Sequence, residues 1–180
     1  MLRPSGSKKS NIDTLIFALV VLSTLVVGTG LLLIVFSDDL AEEGIFGSGE
    51  MEPVDFERLT LSPSENHYLA CNEDFCQNAQ PDEITENFKV PVNEVRDRVT
   101  RLIDSKTNIT LKNMDLVNLR FTIFVYVPSQ AAPDVVTIKL YDLGAPRSGI
   151  SILSQTIVGE DNSFRNRKRV LSWLTLLKRP

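Results

Sequence analysis

The pattern of hydrophobic and polar residues divides this chain into two parts. The first is a long apolar segment near the amino terminus, and the second is a longer region in which apolar and polar residues alternate at the short spacings typical of helices and strands. Residues 14–36 (TLIFALVVLSTLVVGTGLLLIVF) contain no charged side chain. A helix needs roughly 20 apolar residues to cross a bilayer core about 30 Å thick, so this segment predicts one transmembrane helix. The alternative is a cleavable signal peptide, whose apolar core of about 7–15 residues would lead into a site with small residues. Here the acidic sequence SDDLAEE follows instead.

Two further helices are predicted from apolar residues at helical spacing. Pro91 suits the first turn of a helix, and the apolar positions that follow share one face: Val92, Val95, Val99, Leu102 and Ile103. The charged positions form the face predicted to meet solvent: Arg96, Asp97, Arg98 and Arg101. A last helix, roughly residues 165–177, has Asn162 or Ser163 as its candidate N-cap. Its apolar face consists of Val170, Trp173, Leu174 and Leu177.

Strand-like runs rich in β-branched and aromatic residues fill the region between these helices. They cover residues 108–112, 119–127, 135–141 and 150–158, and residues 87–90 form a further extended segment. The connections are short and have turn compositions, which favours antiparallel pairing. The predicted fold is therefore α+β, with one amino-terminal transmembrane helix followed by an antiparallel sheet of about four to five strands packed by two helices.

The charge pattern predicts how the chain is oriented and divided. Arg3, Lys8 and Lys9 precede the span, and the first basic residue after it is Arg58, so residues 1–13 are expected in the cytoplasm and the rest on the far side. Residues 38–57 carry eight acids and no base, which predicts a solvated, flexible tether over 37–60. Residues 61–180 then form a single domain. Their charge is nearly balanced, which disfavours nucleic acid as a partner.

Two cysteines, Cys71 and Cys76, are separated by four residues. In an oxidising periplasm such a pair favours an intrachain disulfide. A metal site would need more ligands than two thiolates and the single nearby histidine, His67. Two reduced, buried cysteines fit only if the predicted orientation is wrong.

The last helix begins with four cations, Arg165, Arg167, Lys168 and Arg169. Positive charge at a helix amino terminus opposes the helix macrodipole. One interpretation is contact with an anion or a lipid headgroup. The other is a solvated face that pairs with nearby acids such as Glu160 and Asp161.

Three segments together carry a resemblance to a known family. Residues 68–76 (YLACNEDFC) are similar to a cysteine-bearing opening, residues 133–140 (PDVVTIKL) to a proline-aspartate strand, and residues 154–170 to a closing signature that ends in Asn-Arg-Lys-Arg. In this order they resemble the uncharacterised bacterial domain-of-unknown-function family 1499, over about residues 62–177. The chain is identified as a membrane-anchored, divergent member of that family, located in the bacterial inner (cytoplasmic) membrane with its domain in the periplasm.

The chain departs from that family where charge would matter most. Leu153 and Ile157 stand where the family usually has arginines, and Asn162 to Phe164 replace its aspartate-leucine-glycine turn. Apolar residues at those places remove donors for an anionic ligand. The resemblance therefore implies that any polar site of the family there is lost, and that Gly159, Asn166, Arg167 and Arg169 are kept for architecture.

Catalytic chemistry is not indicated by any compact motif. His67 has no serine or cysteine pattern around it, and no phosphate-binding glycine loop or paired metal motif occurs. The carboxylate pairs Asp38-Asp39 and Asp82-Glu83 lie in polar sequence, where burial is not expected to tune a pKa. We predict a protein that is not an enzyme and has no cofactor or metal.

Two functions remain. In the first, the protein is a non-catalytic accessory or scaffolding subunit of a larger membrane-protein complex, and Thr24, Gly28 and Gly30 form a small-residue helix face for close packing. In the second, it is a periplasmic module that binds a lipid or small hydrophobic ligand. A tightly filled interface between the sheet and the helices would favour the first function. An apolar cavity would favour the second, and its predicted lining residues are Phe121, Ile123, Val125, Ile138 and Leu140.

Overall fold

The computed structural model describes residues 15–17, 19–23, 53–61, 66–159 and 163–179. The chain divides into two compact units, Met1–Met51 and Glu52–Pro180. In the first unit, residues 15–17 and 19–23 are helical, and their side chains are exposed. Within the described ranges, no helix is sufficiently long and apolar to cross a membrane. Most of the span predicted over 14–36 lies outside the described residues, including Thr24, Gly28 and Gly30.

The second unit is an α+β domain. Its strands are β1 (His67–Cys71), β2 (Glu83–Ile84), β3 (Ile109–Asp115), β4 (Arg120–Val125), β5 (Asp134–Asp142) and β6 (Ser148–Thr156), and its helices are α1 (Val92–Asp104) and α2 (Ser163–Lys178). The six strands form one sheet in the order β2-β1-β6-β5-β4-β3. The α+β class is confirmed.

The sheet differs from the prediction in size and pairing. Strands β3 to β6 form the expected antiparallel meander, but β1 was missed and lies inside the sheet, antiparallel to β6 and parallel to the two-residue β2. The sheet is therefore mixed and not purely antiparallel. The extended segment predicted over 87–90 contributes only an isolated bridge between Phe88 and Ser148.

Both helices pack on the same face of the sheet, called here the helix face. Side chains of β4, β5 and β6 on this face share one buried cluster with residues of α1 and α2. All four apolar positions predicted for the last helix are buried, as are Val95, Val99, Leu102 and Ile103 of α1. Helical periodicity therefore predicted the helix side of the core correctly.

One charged position of α1 departs from its predicted environment. Arg98, predicted to face solvent, is only 9% exposed. Its Nη1 donates to the carbonyl of Leu177 near the end of α2, at 2.8 Å, and its Nη2 donates to Glu94 at 2.6 Å. Arg98 is buried because it satisfies a helix-end carbonyl that has no partner within its own helix.

The opposite face of the sheet, called here the second face, carries a smaller cluster. It contains Phe56, Leu69, Leu153 and both cysteines. Phe56 is fully buried, so the tether predicted over 37–60 extends too far toward the domain. We call residues 53–61 the leading segment; it belongs to the folded unit because its apolar residues, Val54, Phe56 and Leu59, pack into this cluster.

Candidate functional site

A buried ion network joins the start of α2 to the sheet. The carboxylate of Asp134, on β5, has no solvent exposure. Arg165 donates to its two oxygens at 3.0 and 3.1 Å, Arg169 Nη2 donates to Oδ2, and Thr156 donates to Oδ1 at 2.7 Å. Burial acts to raise the pKa of Asp134, but the hydrogen bonds from Arg165, Thr156 and Arg169 outweigh it and hold the pKa below its usual value. Asp134 is therefore ionised and paired.

Asn166 extends this network to β6 and to the residue before β1. Its Nδ2 donates to the carbonyl of Asn66 at 2.9 Å and to Thr156 at 3.2 Å. Its Oδ1 accepts from Ser154 at 2.9 Å and from Arg169 at 2.8 Å. The polar atoms of this buried amide thus have partners, as burial requires.

The four cations at the start of α2 therefore fall into two pairs. Arg165 and Arg169 contact Asp134, which supplies the negative charge that the helix amino terminus favours. Arg167 and Lys168 are exposed, and the Arg167 side chain hydrogen-bonds the hydroxyl of Tyr68. The pairing suggested with Glu160 and Asp161 lies outside the described residues.

The cysteine pair occupies the second face. Cys71 and Cys76 are joined at disulfide distance, with their Cα atoms 6.3 Å apart, and both are buried. The predicted pairing is confirmed. Ser151 Oγ lies 2.9 Å from Cys71 Sγ and 4.0 Å from Cys76 Sγ, and it donates to the Tyr141 hydroxyl at 3.2 Å.

An aromatic stack holds the loop between the cysteines against the sheet. The rings of Phe75 and Tyr141 are 3.8 Å apart and nearly parallel. Gly149 makes this approach possible, because a Cβ atom there would lie 2.5 Å from Phe75 Cε2. Burial raises the pKa of Tyr141 to about 12, so its hydroxyl remains protonated at neutral pH. The loop is therefore held at both ends by the disulfide and beside Cys76 by the stacked Phe75 ring.

The leading segment is held by two hydrogen bonds as well as by Phe56. Asn78, just after the disulfide, donates to the carbonyl of Glu57 at 2.6 Å. Arg120, at the start of β4, donates to the carbonyl of Val54 at 3.1 Å. The turn after the disulfide and β4 thus hold the segment by its backbone.

The turn between β3 and β4, called here the hairpin tip (residues 115–119), exposes apolar side chains on a rigid backbone. Val117 is 92% exposed and Leu116 is 55% exposed. The Asp115 carboxylate accepts from both the side chain and the backbone of Asn118, at 2.6 and 2.9 Å, from the Val117 backbone, and from Arg120. The hydrogen bonds from Asn118 contribute most to lowering the pKa of Asp115 to about 2. The carboxylate therefore keeps this turn closed at neutral pH.

Metal-binding groupings are not found among the residues that the structure describes. Across the described part of the chain, no group of three or more histidine, cysteine, aspartate or glutamate side chains could hold a metal ion. His67 lies on β1 opposite Gln155, and its Nδ1 is buried without a hydrogen-bond partner. The arrangement can bind through surfaces and can undergo disulfide exchange.

No protein-family model and no curated protein matches this chain, so its membership of domain-of-unknown-function family 1499 stays a prediction.

Sequence reasoning missed Asp134, Ser151, Tyr141 and the leading segment. Asp134 begins β5 and was identified only as part of a proline-aspartate strand, without a site role, and Ser151 lies inside β6, where it forms no local motif. Phe56 offered a signal, because it is an aromatic residue within an acidic run. Gly149 offered another, since a glycine within a strand often marks a close approach of another group.

Proposed function

We propose that this protein is a single-pass, membrane-anchored, non-catalytic accessory or scaffolding subunit of a larger membrane-protein complex. Residues 14–36 cross the bacterial inner membrane, the amino terminus is cytoplasmic, and the α+β domain lies in the periplasm. The buried disulfide pair supports this orientation, because disulfides persist in oxidising compartments.

The observation that carries the proposal is the burial and mutual packing of the side chains between the sheet and the helices. The five side chains that would line a ligand cavity are at most 5% exposed, and they share one packed cluster with both helices: Phe121, Ile123, Val125, Ile138 and Leu140. A carrier of lipid or small hydrophobic ligands needs a cleft or cavity of several hundred Å³. Packing of these side chains therefore favours a subunit that works through its surfaces.

The hairpin tip is the docking element that we assign to the periplasmic domain. Leu116 and Val117 present apolar surface from a turn already fixed by Asp115, so little conformational entropy is lost when a partner covers them. Arg120 links this turn to Val54 of the leading segment. The partner is an apolar surface on the periplasmic side of the complex, next to the point where the chain enters the domain.

Arg167 and Lys168 are the cations that we assign to contact with anions or lipid headgroups. Both are exposed, whereas Arg165 and Arg169 are paired with the buried carboxylate of Asp134. Such surface contacts contribute modestly, about 1 kcal/mol per residue near an anionic membrane. They would therefore orient the domain and not anchor it.

The membrane helix is tested by adding bulk to its small-residue face. Gly28→Leu with Gly30→Leu should leave insertion intact but release the protein from its complex in mild detergent, because close packing drives helix association in bilayers. Ala18→Leu with Thr29→Leu adds bulk on the side of the helix away from Thr24 and serves as the control. Mass spectrometry of co-purifying proteins reads the result, and equal recovery of partners with both variants would refute docking through this face.

The hairpin tip is tested separately with Leu116→Ser and Val117→Ser. We expect the double variant to fold with the parent's melting temperature and to lose most of its co-purifying subunits. Ile84→Ser alters an apolar residue of β2 that is also about half exposed and is the control. A parent protein that purifies as a monomer with bound lipid would contradict the subunit proposal and favour the ligand-binding alternative.

A further inference from the structure

The disulfide and the leading segment share one structural element on the second face. Phe56 has no solvent exposure and packs in the same cluster as Cys71 and Cys76, which are 0% and 2% exposed. The segment therefore excludes solvent from the disulfide. Access of a thiol reagent to either sulfur requires this face to open.

The turn that directly follows the disulfide-closed loop binds the segment. A turn within the loop is held by a hydrogen bond from the Cys76 backbone to Asn72, and the turn that follows it is held by a hydrogen bond from the Ala79 backbone to Cys76, each 3.3 Å. Asn78 lies within the second of these turns and donates to Glu57. The position of this donor thus depends on the loop geometry that the disulfide maintains.

We propose that the Cys71–Cys76 disulfide and the leading segment form a redox-sensitive latch. In the oxidised protein the loop holds the segment on the second face, and the segment in turn protects the disulfide. Reduction releases the loop, and the segment leaves the sheet. This property concerns the domain itself and goes beyond the accessory-subunit proposal.

The reductant is a dithiol, of the small-molecule or thioredoxin class. Its thiolate attacks the sulfur of Cys76, the more exposed residue of the pair, and forms a mixed disulfide while the bond to Cys71 breaks. Cys71 leaves as a thiolate beside the Ser151 hydroxyl, 2.9 Å away in the oxidised state, which can turn to donate to it. The second thiol of the reductant then displaces Cys76, so that two electrons and two protons pass to the cysteines and the reductant becomes a disulfide.

Reduction of the disulfide and release of the leading segment are thermodynamically coupled, so each affects the other. If reduction weakens docking of the segment, loss of docking must make reduction more favourable by the same factor. Variants of the segment should therefore change the reactivity of cysteines that they do not alter. If the disulfide only stabilised its own loop, substitutions in the leading segment would not change the reactivity of the cysteines.

The first test measures disulfide reduction by dithiothreitol in the full-length protein, in detergent micelles, by quenching with a maleimide at intervals. The disulfide of Phe56→Ala should be reduced about tenfold faster than that of the parent. The reason is that the rate depends on the fraction of molecules in which local opening exposes the disulfide to the reagent. Phe164→Ala removes an equally large ring that is 75% exposed on α2 and should match the parent. Equal rates for Phe56→Ala and Phe164→Ala would overturn the latch.

A second measurement distinguishes release of the segment from general unfolding. The Arg58 side chain is 88% exposed, but its backbone lies in a turn closed by a bond to Asp55, so trypsin cuts there only after the segment opens. Reduced, alkylated protein should be cut after Arg58 about tenfold faster than oxidised protein, while the buried Arg98 of α1 stays resistant. Equal acceleration at both arginines, or none at Arg58, would contradict the proposal.

Asn78→Ala tests the polar contact without removing apolar packing. It should speed reduction by about threefold, since it deletes one hydrogen bond at an exposed position. Gln77→Ala changes an exposed neighbour and is its control. A rate for Asn78→Ala that equals that of Gln77→Ala would show that the loop does not hold the segment.

Discussion

The two faces of the sheet are covered in different ways. The helix face is packed by two helices of 13 and 16 residues, whereas the second face is covered at the cysteine loop by that loop and a nine-residue leading segment. Long amphipathic helices bury enough apolar surface to hold themselves in place. Short segments cannot, so this face adds a disulfide, an aromatic stack and backbone hydrogen bonds.

The difference indicates which parts of the domain hold the fold and which can move. Removing a contact from the helix face should reduce the free energy of unfolding of the whole domain. Removing a contact from the second face should release a local segment, because its elements have few connections to the rest. Matched substitutions on the two faces test this directly.

The largest contrast is expected between two buried phenylalanines. Phe121→Ala, on the helix face, should lower the free energy of unfolding by about 4 kcal/mol, as for other large core truncations. Phe56→Ala should lower it by only about 2 kcal/mol, because the leading segment can detach instead of enclosing a cavity. Urea unfolding of both variants measures the two values. A cost for Phe56→Ala equal to that for Phe121→Ala would remove the distinction between the faces.

The ion network is the next largest effect on the helix face. Asp134→Ala leaves the guanidinium groups of Arg165 and Arg169 without their carboxylate and should cost about 3 kcal/mol. Asp142→Ala removes an exposed carboxylate that accepts only from the Gly144 backbone in a turn and should cost about 0.5–1 kcal/mol. Thermal unfolding of the two variants at pH 7 compares them. Similar losses would mean that the network contributes no more than a turn.

The same carboxylate predicts how stability depends on pH. Because the folded pKa of Asp134 is lowered, its contribution is present above the unfolded value of about 3.9 and is lost as the pH falls through the folded value. The melting temperature of the parent should therefore fall more steeply below pH 4 than that of Asp134→Ala. If the melting temperatures of the two proteins fall in parallel between pH 5 and pH 2, Asp134 is not responsible for the loss of stability in acid.

The disulfide should contribute less than these core contacts. Closing so short a loop removes about 2 kcal/mol of chain entropy from the unfolded state. Cys71→Ser with Cys76→Ser should lower the melting temperature modestly and leave α1 and α2 folded, which circular dichroism can follow. Complete unfolding of this variant would mean that the second face holds the whole domain.

The same contrast explains how much could be predicted from the sequence. On the helix face, apolar residues recur at helical spacing, so the buried apolar positions of α1 and α2 could be identified from the pattern alone. Arg98 could not, because its partner, the carbonyl of Leu177, is 79 residues away. Burial of a charge depends on such tertiary contacts and not on local periodicity.

On the second face the sequence contains weaker signals. Strand β1 is short and buried on both sides over Tyr68–Cys71, so it has no alternation by which to recognise it. The leading segment lies in an acidic run typical of linkers, and only its few apolar residues attach it. The disulfide was predicted from spacing and compartment, but its contact with Ser151 depends on the sheet register.

Hydrogen exchange of the oxidised and the reduced full-length protein tests the difference between the faces most directly. We predict that reduction increases exchange in residues 53–61 and 72–80 by at least about tenfold, while amides of α1, α2 and β4 to β6 keep their protection. Uniform loss of protection across both faces would show that the domain opens as one unit. Unchanged exchange in the leading segment would show that the disulfide does not hold it.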